Sequence, residues 1–225
     1  MTSKKAKERK DRIRKLDKAL KKLYPRAAIE LNFTNPLELL VAVQLSAQCT
    51  DKMVNRVTSP LFKRYRTLDD YVAASASRRT IAEFEALVRS CGYYRQKTKN
   101  ILAAATMIKR EFGGAVPKTI GEMLRLPGVA RKTATVVLKE AYGVVAGITV
   151  DTHVIRFVRR YDLSDFKDPV RIERDLMRVV PKKEWGTFTH RVIHYGRYLA
   201  PARKYDTTKD PLVKLYPLAS KIFRV

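Results

Sequence analysis

The apolar positions of this chain recur mostly at helical spacing, and the breaks between apolar stretches fall at proline, glycine and capping residues. Ile13, Leu16, Leu20 and Leu23 lie on one stripe of a strongly basic stretch, which predicts an amphipathic helix over residues 1–26 that ends near Pro25. Asn35-Pro36 opens an apolar helix from Leu37 to about Gln48. A further helix is expected from Asp51 to Arg66, disturbed at Ser59-Pro60. Three patterns, Thr67-x-x-Asp70, Thr80-x-x-Glu83 and Thr119-x-x-Glu122, place a hydroxyl and an acid where helix starts need acceptors. Later helices are expected at Arg95–Phe112, 119–125, Lys132–Tyr142, Asp151–Tyr161, Val170–Val180, Trp185–Leu199 and Pro211–Phe223. Val144–Val150 is the one strand-like run; without a partner strand it reads as a buried extended connector. The fold class is all-α.

Composition narrows the partner. The chain has 225 residues, 45% of them hydrophobic, and a formal net charge of +25. That excess points to a polyanion. No apolar run reaches the ~18–20 residues of a membrane span. The N-terminus is too polar for a signal peptide, and Glu8, Asp11 and Asp17 disfavour a transit peptide. A cytoplasmic, nucleoid-associated protein is expected. Cys49 and Cys91 are too few for a disulfide scaffold and read as reduced thiols. His190 and His194 share a helical face at a zinc-compatible spacing, but no acidic or sulfur ligand accompanies them, so core or hydrogen-bonding roles are expected and no metal site.

The candidate chemistry lies in Leu126-Pro127-Gly128-Val129-Ala130-Arg131-Lys132-Thr133-Ala134 and in Val150-Asp151-Thr152-His153. Leu-Pro-Gly-Val is a tight turn between two helices, and the amides at the start of the second can receive a phosphate, with Arg131 adding charge. The same four residues also make an ordinary helix connection. Lys132, in the first turn of that helix, would sit beside a bound phosphate, where an unprotonated amine can attack a sugar carbon and form a Schiff base. Asp151 reads equally as an N-cap and as the carboxylate that such chemistry needs, because breaking a glycosidic bond builds positive charge on the sugar.

At these residues the chain resembles the endonuclease III family of helix–hairpin–helix DNA glycosylases. Leu39–Asp51 (LLVAVQLSAQCTD), Gly92–Asn100 (GYYRQKTKN) and His194–Arg197 (HYGR) carry the likeness further, from about residue 28 to about 204. The resemblance implies two helical lobes with a DNA-binding cleft: a six-helix module over 27–143, and a second, discontinuous lobe of 1–26 plus 144–225. It implies a bifunctional DNA glycosylase and AP lyase, with Lys132 as nucleophile and Asp151 as the essential carboxylate, acting on oxidised pyrimidines such as thymine glycol in double-stranded DNA, as a monomer. Gln48 and Tyr93 match the residues that fill the gap left by the flipped nucleotide; the second is commonly leucine. Leu126, Gly128, Ala130, Arg131 and Thr133 match the DNA-binding hairpin, with Ala130 in place of a second glycine, a mild change if that position is helical. Arg203 and Lys204 match a basic DNA-contacting loop. The basic first 26 residues are expected to extend the contact surface.

The C-terminus departs from the family. The four positions of its usual iron–sulfur cysteines fall on Ala200, Thr207, Asp210 and Tyr216, so a cluster-free member is expected, its tail held by an apolar stripe of Leu212, Leu215, Leu218 and Ile222. The rival readings are a glycosylase of the same fold with another lesion preference, and a DNA-binding protein without catalysis.

Overall fold

A computed structural model describes residues 3–203 and 205–221, and the helices follow from local signals. Helix α1 (Ser3–Leu23) stops before Pro25. Asn35 caps α2 (Pro36–Leu45) by accepting from the Glu38 amide, with proline at the first helical position. Thr50 caps α3 (Asp51–Arg64), which runs through Pro60. Ser59 and Pro60 face solvent, while Val57, Thr58 and Leu61 are buried, so packing on the other face holds the helix across its missing amide.

Thr67 and Asp70 form a complete capping box at α4 (Leu68–Ala74). The next box is not Thr80–Glu83. Ser77 and Thr80 exchange the two capping bonds at 3.1 Å and start α5 (Arg78–Val88), while Glu83 pairs with Arg64 and Arg79. A 3-10 turn (Arg89–Cys91) leads to α6 (Tyr94–Glu111), which ends ahead of two left-handed glycines, Gly113 and Gly114. Thr119 caps the one-turn α7 (Ile120–Met123), and α8 spans Arg131–Tyr142. Residues 144–150 form no strand; Val144 and Val145 are exposed and Ile148 is fully buried, so only part of the connector enters the core. Asp151 caps α9 (Thr152–Arg160), Asp168 caps α10 (Pro169–Val179), and α11 (Trp185–His194) finishes in a π-helical turn, Tyr195–Leu199.

The tail differs most from the sequence reading. Instead of one helix over Pro211–Phe223, the described residues of that range make two 3-10 turns, Val213–Leu215 and Pro217–Ser220, preceded by a third at Thr207–Lys209. Leu212 is fully buried, but Leu215 and Leu218 are 40% and 52% exposed, so the expected stripe does not form; Ile222 lies outside the described residues.

The chain divides into two compact units, Glu30–Ala146 and Met1–Ile29 with Gly147–Val225. The first unit holds seven α-helices, α2 to α8, the short α7 falling within the helix expected at 119–125. Its α2 is apolar on nearly every side, and it packs against α3, α6 and α8, with Leu39, Leu40, Ala42 and Leu45 in the core. In the second unit, α1 lays Ile13, Leu16 and Leu20 against α10 and α11, in a core that includes Phe157, Tyr161, Phe188 and Tyr195. Leu23 is not part of it and is exposed. Several cations of α1 are engaged within the unit. The fully buried Arg9 guanidinium binds Asp162 and Asp165 at 2.6 and 2.8 Å, Arg12 binds Asp162 at 3.1 Å, Lys5 binds Asp165 at 2.6 Å, and Lys21 binds Asp17 and Glu184 at 2.8 Å each. Those charges anchor α1 within its own unit.

Candidate active site and DNA-binding surface

The hairpin is built from α7, the turn 124–130 and α8. Gly128 takes φ +74°, and a Cβ there would lie 2.7 Å from Asn100 Cβ, so both the backbone angle and the space require glycine. The Val129 amide donates to the Leu126 carbonyl at 3.1 Å, closing the turn. The Leu126 side chain is 2% exposed, so it belongs to the core and serves the turn only through its main chain, a correction to its expected DNA contact. From α2, the Gln44 amide donates to the Pro127 carbonyl at 2.9 Å.

Ala130 is the N-cap of α8 with extended angles (φ −86°, ψ 170°) rather than helical ones. Its φ is negative, so its Cβ fits without strain. More consequential is that α8 receives no capping bond from a side chain. Its first amides are therefore available to an anion, at the positive end of the helix dipole. Arg131 and Lys132, the first two helical residues, are exposed, and Thr133 is half-buried.

Gln48 does not end a helix, because α2 stops at Leu45; it is an exposed residue in a turn, at φ 54°. Tyr93 is the left-handed N-cap residue of α6, at φ 46°, and is 71% exposed. Left-handed backbone at a residue other than glycine carries strain, and Tyr93 bears it with its ring in solvent. Gln48, Tyr93 and Gly128 line one concavity of about 230 Å³ together with Gln44, Lys97 and Asn100. These last three were not singled out from the sequence. Gln44 left a trace there, as a lone amide inside the apolar run LLVAVQL. Lys97 left none, because a lysine on a basic chain is unremarkable until its burial is seen: it is 7% exposed, and its ammonium donates to the carbonyls of Leu45 at 2.8 Å and Cys91 at 2.7 Å.

Asp151 belongs to the other unit. Its Oδ1 accepts from the Val154 amide at 2.9 Å, capping α9, and Oδ2 makes no hydrogen bond with the described residues. The carboxylate is half-buried and within electrostatic reach of Arg156. Burial holds the Arg156 guanidinium below its ordinary value, Arg160 adds to this, and Asp151 opposes it. Behind Asp151, Thr189 fixes the approaching chain through the Thr149 carbonyl at 3.0 Å. Arg156 donates to His153 Nδ1 at 3.1 Å and to the Gly196 carbonyl at 3.4 Å. A Cβ on Gly196 would stand 2.4 Å from that imidazole nitrogen, which explains the glycine in His194–Arg197 and links that stretch to the one containing Asp151.

Arg203 is exposed in a bend of the chain, and Lys204 lies outside the described residues. The histidines have protein partners: His194 Nε2 lies 3.3 Å from the Ala28 carbonyl, and His190 is buried. The four positions matched to cluster cysteines do not suit iron–sulfur ligation. Ala200 is buried, Thr207 opens a 3-10 turn, and the Tyr216 ring lies under the Arg12 guanidinium at 4.0 Å. Asp210, 1% exposed, is already saturated. Its Oδ2 accepts from the hydroxyls of Tyr195 and Tyr205 and, at 3.4 Å, from Tyr161, and its Oδ1 accepts from the Leu212 amide at 2.8 Å. No thiolate is offered, and the one carboxylate is committed to the protein.

Comparison with known proteins agrees with this geometry. Residues 41–182 match the HhH-GPD superfamily of base excision DNA repair proteins. Endonuclease III of Synechocystis sp. (strain ATCC 27184 / PCC 6803 / Kazusa) is 48% identical over 200 residues, 89% of each chain. A non-covalent endonuclease III–DNA complex superposes with a TM-score of 0.88 at 41% identity, covering 96% of this chain and 99% of that one. A trapped endonuclease III–DNA covalent intermediate gives 0.87 at 42% identity, covering 94% and 97%. The chain belongs to the HhH-GPD superfamily of base excision DNA repair proteins, within its endonuclease III family.

Proposed function

We propose that Lys132 and Asp151 carry the DNA glycosylase and AP lyase chemistry of this enzyme, and that its substrates are oxidised pyrimidines, thymine glycol among them, in duplex DNA. The observation that carries the assignment is the position of Lys132: an exposed amine in the first turn of α8, directly after the Gly128 turn, on a helix start with no side-chain cap. A backbone phosphate received by those amides holds the neighbouring sugar within reach of the lysine. The flipped nucleotide presents C1′ to the neutral Nζ. The new N–C bond displaces the base, the sugar ring opens to an imine, and loss of a C2′ proton expels the 3′ phosphate. Asp151 stabilises the cationic sugar or takes the lysine proton; its uncommitted Oδ2 suits either task.

Gln48 and Tyr93 fill the vacated step, and Arg131, Thr133, Arg203 and Lys204 contact the backbone. The amides that donate to phosphate in the turn are supplied by the main chain around Gly128 and Ala130. The enzyme acts as a monomer, without an iron–sulfur cluster, in the cytoplasm beside the nucleoid. With a net charge of +25, its affinity for DNA falls steeply with salt.

The test is borohydride reduction in the presence of thymine-glycol and abasic duplexes. The expected result is a covalent adduct with each duplex, lost in Lys132→Ala while duplex binding persists. Absence of adduct with both, from folded protein, overturns the assignment; an adduct with abasic DNA alone overturns the lesion class. Iron analysis and a visible spectrum test the cluster, and bound iron with visible absorption refutes its absence.

A further inference from the structure

The two loops that present Gln48 and Tyr93 are joined beneath the surface. One buried ammonium, Lys97 Nζ, binds the carbonyl of Leu45 at the end of α2 and that of Cys91 at the end of the 3-10 turn, at 2.8 and 2.7 Å. The end of α2 and the turn before Tyr93 are therefore side by side. Cys49 follows Gln48 directly, in a turn closed by its own amide to the Ser46 carbonyl at 3.0 Å. Helix α3, which begins two residues beyond Cys49, packs against the turn Arg89–Cys91, and the Cys49 and Cys91 thiols are within electrostatic reach of each other. Cys49 is partly exposed, whereas Cys91 is 2% exposed. The accessible thiol thus has a second thiol behind it and a fixed cation nearby, the arrangement of a reacting and a resolving cysteine.

We propose that Cys49 and Cys91 form a peroxide-oxidisable pair whose disulfide staples the loops carrying Gln48 and Tyr93. The Cys49 thiolate attacks one oxygen of a peroxide; the O–O bond breaks, a sulfenic acid forms, and hydroxide leaves and is protonated to water. The Cys91 sulfur then attacks the sulfenic sulfur; the S–O bond breaks, and the departing hydroxide takes the Cys91 proton. Two thiols and one hydrogen peroxide become one disulfide and two waters, the sulfurs losing the two electrons that the peroxide gains. Burial, with Cys49 adding to it, pushes the Cys91 thiol up to about 12, while Lys97 opposes the shift. Cys91 therefore enters second, as the resolving thiol. A disulfide holds its Cβ atoms about 3.8 Å apart, with sulfurs about 2 Å apart. Forming it draws the loops together and narrows the concavity lined by Gln48 and Tyr93.

The test uses the full-length protein, reduced and then treated with hydrogen peroxide, followed by alkylation, intact mass and peptide mapping. The expected result is loss of the mass of two hydrogens, a Cys49–Cys91 cross-linked peptide, and full reversal by a thiol reductant. C49S, at the partly exposed position, gives no such cross-link. Independent oxygen adducts on the two thiols, cross-linked dimers, or two thiols that remain alkylatable overturn the proposal. The oxidised protein also binds an abasic-site duplex several-fold more weakly than the reduced protein, whereas peroxide-treated C49S does not change. This second expectation rests on the DNA-contact reading of Gln48 and Tyr93. Unchanged affinity in the cross-linked protein overturns the coupling, and normal binding by Gln48→Ala and Tyr93→Ala places the error in that reading instead.

Discussion

Gln44 donates a 2.9 Å hydrogen bond to the carbonyl of Pro127, so the Gly128 turn hangs from a buried amide on α2. The same amide is imperfectly satisfied, because its Oε1 is buried without a partner. Gln44→Leu therefore removes one unmet acceptor and creates another at Pro127, and the two desolvation costs partly cancel. We expect a stability change within about 1 kcal/mol in urea unfolding. Duplex affinity should nevertheless fall several-fold, because the turn loses its anchor. Unaltered affinity in the Leu variant would show that the turn is rigid without Gln44.

Gly128 allows no side chain. In Gly128→Ala the new Cβ meets Asn100 Cβ at 2.7 Å on backbone at φ +74°, and neither the angle nor the contact relaxes alone. The backbone strain by itself costs about 1–3 kcal/mol. Thermal unfolding should register at least that loss, together with loss of duplex binding. Asn100→Ala in the same chain removes the contacts with Cγ and Nδ2 but leaves the Cβ contact and the angle, so it restores only a small part of the stability.

Asp151 caps α9 and is assigned a catalytic role, and two substitutions separate the functions. Asparagine is as good an N-cap as aspartate, so Asp151→Asn should leave stability within about 0.5 kcal/mol of the parent and still lose glycosylase turnover. Asp151→Ala should lose turnover and about 1 kcal/mol of stability as well. Comparable single-turnover rates for the parent and the Asn variant would reduce Asp151 to a cap.

The tyrosine cage around Asp210 sets an alkaline limit. Burial, then the bond to Asp210, pushes the Tyr205 hydroxyl from 10.0 up to about 12, and burial pushes Tyr161 and Tyr195 further in the same direction. A raised phenol is favoured in its neutral form by folding. Its contribution is complete below the unfolded value near 10.0 and disappears as pH rises through about 12. Denaturant titrations should show stability falling across that window, with a shallower fall in Tyr205→Phe. Asp210→Ala leaves three hydroxyls without their acceptor and should cost about 3 kcal/mol at neutral pH.

How far the sequence could be read depends on the range of the interactions involved. Asn35, Thr50, Thr67 and Asp151 act on amides three residues away, so their helix starts were legible. The Thr80–Glu83 reading failed because Ser77, three positions before Thr80, offered a competing cap. The tail failed for a different reason. Its leucines keep helical spacing, but Pro217 falls inside the stretch with no amide to donate, so helical hydrogen bonding is interrupted there.

The sequence by itself determined the all-α class, the hairpin, and the placement of Lys132 and Asp151 at helix starts, because periodicity, capping and turn chemistry operate within a few neighbouring residues. Only the tertiary structure decided that Gln44 secures the turn, that Lys97 ties the loops of Gln48 and Tyr93 together beneath the surface, and that Asp210 is enclosed by three tyrosines. Those relationships join residues far apart in the chain, and each exists only where packing removes water and leaves a polar group no partners but its protein neighbours.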